Sequence, residues 1–190
     1  MVVPVSDDGM GYFAGDKALA EALALAGNAD AVLIGPGIGR AEGTSEFVRL
    51  FAADVKAPLV MDADAIYAFR SHLDALHALP QVPVLTPHLG EFAGLLGKTV
   101  EEVEIDLLGI AREAAQAHQA VFVVKSACTI VVYPDGDAFF TTCGNAGMAT
   151  AGAGDVLAGT VAGLMRQMES GMTPVVGVYV HGRAGDIAYE

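Results

Sequence analysis

Asp155 is the one charged residue in the tract TTCGNAGMATAGAGDVLAGTVAGL, positions 141–164. It follows Gly152, Ala153 and Gly154, whose side chains are no larger than a methyl, so a ligand can come close to the main chain there. An amphipathic run begins immediately afterwards. Backbone N–H groups crowded at the start of a helix, where the macrodipole favours negative charge, make a place to hold phosphate. A carboxylate beside such a cradle repels the anion, which leaves two readings of Asp155. It is an ordinary acidic residue of a first helical turn, or it is the base that takes a proton from a hydroxyl attacking a bound phosphate while the amides stabilise the transferring charge.

Other polar groups stand where short apolar runs end. Residues 31–34 empty into Gly35-Pro36-Gly37-Ile38-Gly39-Arg40, residues 58–61 into Asp62-Ala63-Asp64-Ala65, and residues 83–85 into Thr86-Pro87-His88-Leu89-Gly90-Glu91. Lys125 closes a fourth run, residues 121–124. Fully apolar runs of this length are the habit of parallel strands buried on both faces, and open α/β sheets bind ligands beyond the carboxyl ends of such strands. The glycine cluster lacks the G-x-G-x-x-G spacing of a dinucleotide fingerprint, so it is a tight turn or a ligand loop of another kind. Asp62 and Asp64 could share a metal-bound water, or Asp64 could cap the helix that follows. His88 is open to a structural or a functional reading in the same way. Pro87 keeps Thr86 out of helical conformation and turns the chain.

The elements that must position these residues alternate. The patterning predicts strands at residues 1–5, 31–34, 58–61, 83–85, 121–124, 129–133 and 138–141, the last two joined by the hairpin turn Pro134-Asp135-Gly136-Asp137. Helices are predicted at residues 16–26, 42–54, 89–96, 99–118 and 156–168, with a last one from Thr173-Pro174 onward and a polar helical stretch around the solvated His72 and His77. Small residues at Ala158, Gly159, Ala162 and Gly163 let the helix behind the loop lie close on a sheet. With 190 residues, 53% of them hydrophobic, the chain suits one core and one domain, residues 1–190. A net charge of −13 disfavours nucleic acid and anionic membrane as partners, because both need a basic face. It allows one nucleotide, held by amides, Mg²⁺ and a lysine. No apolar run reaches membrane-spanning length, and the opening residues lack a basic leader, so a cytoplasmic location is expected. Cys128 and Cys143 make no metal spacing and read as reduced core thiols.

The tract GNAGMATAGAGDVLAG resembles the phosphate-loop signature of the ribokinase-like superfamily, and its GNAGMAT portion resembles the ATP- or ADP-dependent NAD(P)H-hydrate dehydratases within it. GPGIG, DADA and TPHLGE, and the stretch from Val180 to Asp186, agree with that family in identity and order, from about Ala31 to the end of the chain. The resemblance implies a three-layer α/β fold, a mostly parallel sheet with helices on both faces. It also implies an enzyme that uses ATP or ADP with Mg²⁺ to dehydrate the S epimer of hydrated NADH or NADPH. In that frame Asp155 is the base and a substrate contact, Gly39, His88 and Asp64 border the substrate, and Glu91 organises Mg²⁺. Lys125, Ser126, Ala127, Cys128 and Thr129 contact the nucleotide together with Asn145, Gly152, Ala153 and Gly154. Two positions depart from the pattern: Ser126 stands where glycine is usual, and Ala153 stands where the loop usually has serine. The family also opens with a glycine-rich strand-helix-strand segment that is not found here, so an incomplete domain and a self-associating chain are expected. The alternatives are a small-molecule kinase of the same superfamily, against which TPHLGE and GNAGMAT argue, and an inactive nucleotide-binding module.

Overall fold

The computed structural model describes residues 2–7, 9–168 and 171–190. Apolar side chains alternate along the central strands and thereby build two cores. Leu59 and Met61 of β2 (Leu59–Met61) face one side with Leu85 of β3 (Val84–Leu85), while Val60 and Val84 face the other. The strands β1 (Val32–Ile34), β2, β3 and β4 (Val121–Val124) pair in parallel, and β5 (Ile130–Val132) and β6 (Ala138–Phe140) continue the sheet antiparallel. Strand order follows chain order from β1 to β6. Right-handed crossovers that always step in one direction must place their helices on one face.

That face carries α1 (Gly15–Ala26), α2 (Glu42–Asp54), α3 (Asp64–Tyr67), α4 (Leu89–Leu95), α5 (Val100–Ile105) and α6 (Leu107–His118), packed around Phe69, Phe92 and Phe122. The opposite face is covered after β6, when the chain turns back into α7 (Ala153–Leu164) and α8 (Thr173–Tyr189). Leu157, Ala158 and Val161 of α7 lie on Val60, Val123 and Val131. Burying a Leu or Val fully is worth about 1.5–3 kcal/mol each, so these few contacts hold α7 down. The expected three layers and mostly parallel sheet are present.

Several expectations are corrected. Residues 2–5 form no strand; Pro4 lacks an N–H, and Val2 and Val3 stand exposed, while Met1 lies outside the described residues. The helix expected over residues 99–118 is two. Asp106 leaves helical conformation at φ −145° and accepts the N–H of Gly109 at 2.9 Å, so its side chain starts α6 afresh. The helix behind the loop begins at Ala153 and ends at Leu164, with turns alone over residues 165–167. Of the four small residues expected to let this helix lie close on the sheet, Ala158 and Ala162 pack there while Gly159 and Gly163 face open space; Gly177 of α8 makes a close approach to Val161 of α7. His72 and His77 are exposed as expected, on a 3₁₀ turn, Leu73–Ala78. Neither cysteine is in the core: both are free thiols, and Cys128 is exposed.

Candidate active site

Four parallel strands end at one edge of the sheet, and each delivers one of the polar groups singled out above. After β1 the chain enters the glycine loop, where Gly35 adopts φ +128° and a side chain on it would strike the carbonyl oxygen of Asp62. Only glycine fits there. Further along, the N–H of Gly39 donates to the Asp64 carboxylate at 3.0 Å and Arg40 Nε donates to it at 2.5 Å. Asp64 therefore does not cap α3: it ties the glycine loop to the second strand's exit.

Asp62 points the other way. Its carboxylate, 2% exposed, accepts a hydrogen bond from Lys125 Nζ at 2.8 Å, joining the exits of β2 and β4. Removing one partner of such a pair leaves an uncompensated charge, at a cost of about 3–5 kcal/mol. Sequence reasoning weighed Asp62 only as a water-holding neighbour of Asp64. The available signal was a carboxylate and an ammonium, each placed directly after a buried strand, but 63 positions separate them.

At the exit of β3, His88 makes an N-terminal cap of α4. Its Nδ1 accepts the N–H groups of Gly90 and Glu91 at 3.0 and 3.2 Å, and Glu91 returns a bond by accepting the His88 N–H at 2.9 Å. That reciprocal box leaves Nε2 of the exposed ring 3.6 Å from Glu91 Oε2. The Lys125 N–H donates to Pro87 O at 2.8 Å, so the third and fourth exits are also laced together.

Facing these exits is the N-terminus of α7. Gly152 sits at φ +88°, and a methyl on Gly154 would lie 3.2 Å from Lys125 Nζ. A cavity of about 710 Å³ opens here. Lys125, Ser126, Ala127 and Thr129 form one wall, Asn145 a second, and Ala153 with Gly154 a third, while His88 stands at the mouth. Ser126, the residue that replaces the usual glycine, donates its hydroxyl to Cys128 O at 2.7 Å and so closes the turn between β4 and β5. Cys128 and Gly152 do not line the cavity, and neither do Gly39, Asp64 and Asp155. Asp155 is exposed in the first turn of α7, the helix whose Ala153 and Gly154 line the cavity.

The loop before α7 is moored to α8. Asn145 Nδ2 donates to Gly185 O at 2.9 Å and to Asp186 at 3.3 Å, Asn145 Oδ1 accepts the Gly147 N–H at 3.0 Å, and Asp186 also accepts the Gly144 N–H at 3.1 Å. The Gly144 amide holds the Asp186 carboxyl below its ordinary range. His181 of α8 lines the same cavity, and burial lowers its pKa against the opposing effect of the Ala153 backbone. Sequence reasoning quoted both residues within a motif and gave neither a role.

For a metal, the described residues offer no cluster of three or more His, Cys, Asp or Glu side chains. Glu91 Oε2 accepts the His88 N–H, which leaves Oε1 as a hard oxygen donor of the kind that meets Mg²⁺ through water.

The sequence profile of the NAD(P)H-hydrate dehydratase family matches residues 8–190. The chain belongs to that family. Among NAD(P)H-hydrate repair proteins it is 43% identical over 160 residues to the bifunctional NAD(P)H-hydrate repair enzyme Nnr of Moorella thermoacetica, covering 84% of this chain and 30% of that protein. The ADP/ATP-dependent NAD(P)H-hydrate dehydratase of Bacillus subtilis, co-crystallised with ATP/Mg²⁺, superposes with a TM-score of 0.74 at 29% identity over 88% of this chain and 61% of that one. A ribokinase-like superfamily protein of Enterococcus faecalis gives a TM-score of 0.76 at 30% identity over 90% and 61%. The fold is ribokinase-like. The chain spans 30–32% of the length of the curated bifunctional NAD(P)H-hydrate repair enzymes it matches.

Proposed function

We propose that this chain uses ATP or ADP to dehydrate the S epimer of hydrated NADH or NADPH. The observation that carries the reading is the placement of Lys125 and the α7 N-terminus on one cavity with Asp155 just outside it. In-line phosphoryl transfer needs the attacking hydroxyl on the side of the phosphate away from the departing nucleotide. Asp155 takes the proton of the ring hydroxyl, whose oxygen bonds to the terminal phosphorus as the bond to the shorter nucleotide breaks. The carbon–oxygen bond of the resulting phosphate ester then breaks, releasing inorganic phosphate, while a proton passes from the adjacent ring carbon to solvent and the double bond of the dihydropyridine is restored. The amides of Gly152, Gly154 and Asp155 receive the developing charge, the Ala153 N–H being donated to Thr150 O at 3.2 Å; Lys125 with Ser126, Ala127, Thr129 and Asn145 holds the nucleotide, and His88 with the Gly39–Asp64 pair borders the hydrate. Glu91 would hold Mg²⁺ through water, and the cation would supply charge neutralisation on the phosphates.

The test is recovery of reduced-nicotinamide absorbance from hydrated NADH or NADPH with Mg²⁺ and either nucleotide. Asp155→Asn should lower the rate by about 10²–10⁴, the range of a general base. A wild-type chain that binds nucleotide without recovering absorbance would overturn the reading. The same reading extends to a self-associated, cytoplasmic protein. It is supported by exposed Val156, Tyr179, Ile187 and Tyr189 and by two unpaired thiols. Light scattering of the purified chain tests the first point, a monomer mass counting against it.

A further inference from the structure

The Asp62 carboxylate lies under a site meant for an anion, where its charge opposes the ligand. Buried ion pairs are poor evidence of stabilisation, since apolar residues of similar size do as well. Its place therefore calls for a geometric reason. The carboxylate is buried on a pinned stretch of backbone: the Asp62 N–H donates to Ile34 O at 3.1 Å, its carbonyl accepts the Ala65 N–H at 3.1 Å, and Gly35 packs against that carbonyl. Lys125, by contrast, has a long stem with several rotatable bonds, and unheld it would spread its ammonium over many positions. One of the three Nζ donors is committed to Asp62 Oδ1 at 2.8 Å, and two remain. Those two are next to Gly154 in the first turn of α7, as the 3.2 Å approach to a methyl placed there shows; Oδ2 of Asp62 is 3.9 Å from the same point.

We propose that Asp62 is a positioning residue that aims the Lys125 ammonium at the terminal phosphates of the nucleotide. This rests on the reading of the cavity as an adenine-nucleotide site. Asp62 makes no contact with the ligand itself; it acts through Lys125 by fixing where the two free N–H donors point.

The experiment is calorimetric titration of the full chain with Mg²⁺-ATP and, separately, with AMP, for wild type, Asp62→Asn, Lys125→Met and the double variant. Asp62→Asn should weaken ATP about tenfold and AMP less than twofold, because AMP lacks the phosphates that Lys125 reaches. Lys125→Met should do the same, and the double variant should bind ATP no more weakly than Lys125→Met alone. Equal weakening of ATP and AMP, multiplying losses, or wild-type affinity in Asp62→Asn would each overturn the proposal. Should Asp62→Asn fail to fold, the comparison of Lys125→Met with the double variant decides: equal ATP affinity supports the role and further loss refutes it. The outcome is separable from that of the reaction. The expected pattern without recovery of reduced nicotinamide sinks the dehydration and leaves Asp62 its role. Recovery with unchanged ATP affinity in Asp62→Asn does the reverse, and a wild-type chain that binds no ATP refutes both.

Discussion

Ala63 carries the strain of the site. At φ +49° and ψ −117° it occupies the first corner of a type II′ turn, with the Ala65 N–H returning to Asp62 O, a corner that glycine ordinarily fills. Such a conformation costs about 1–3 kcal/mol in a residue with a Cβ. It persists because both neighbours are held, Asp62 by Lys125 and Asp64 by Gly39 and Arg40. The strained corner lets two carboxylates two positions apart point in opposite directions. Ala63→Gly should therefore raise stability by about 1 kcal/mol, the relief of strain exceeding the entropy that glycine adds to the unfolded chain. Urea unfolding reads this directly, and a lowered midpoint would mean that the alanine is not strained.

The pairing of α7 with α8 is what shapes the loop between β6 and α7. That loop has few buried apolar contacts of its own, and its mooring comes from Asn145, Gly144 and Asp186 instead. Across the same junction His181 is partly buried, and its pKa falls below the ordinary 6.5. His118, at the end of α6, is lowered for the same reason, against the pull of Asp74. A histidine whose folded pKa is depressed binds its proton more readily when unfolded. Stability therefore rises with pH through the window below 6.5 and is fully present above it. The urea midpoint should fall as pH is lowered from about 7.5 to about 5.5, and the variant carrying His118→Asn and His181→Asn should lose most of that slope. An undiminished slope would place the titration elsewhere.

Sequential strand order gives the molecule two unlike faces. Among the described residues six α-helices cover one, whereas two cover the other, and the second pair brings the α7 N-terminus over the carboxyl edge of the parallel strands. A ligand seated between that edge and α7 joins parts of the chain distant in sequence, from His88 to His181. Binding of this kind stabilises the native state by about 2.7 kcal/mol when free ligand is a hundred times its Kd. With Mg²⁺-ATP, thermal unfolding should shift upward accordingly, and amide-exchange protection should rise in the β4–β5 turn and the first turn of α7 before it rises in α1. A uniform rise across the chain would argue for binding elsewhere.

Local chemistry in the chain was enough for the strands expected at residues 31–34, 58–61 and 121–124, which form over 32–34, 59–61 and 121–124, for α2 to the residue, and for a glycine-rich loop opening a helix with Asp155 in its first turn. Apolar runs, glycines and helix-start residues act over a few positions, and their signal is printed in neighbouring letters. The break at Asp106 was equally local, yet it hid because an aspartate reads alike as a surface residue and as a cap until its carboxylate is seen on Gly109. Other features depended on folding. The Asp62–Lys125 pair, the turning of Asp64 toward Gly39, and the meeting of His181 with the phosphate loop join residues that only the crossovers bring together. The direction in which a charged side chain points is set by partners distant in sequence, and no spacing along the chain records it.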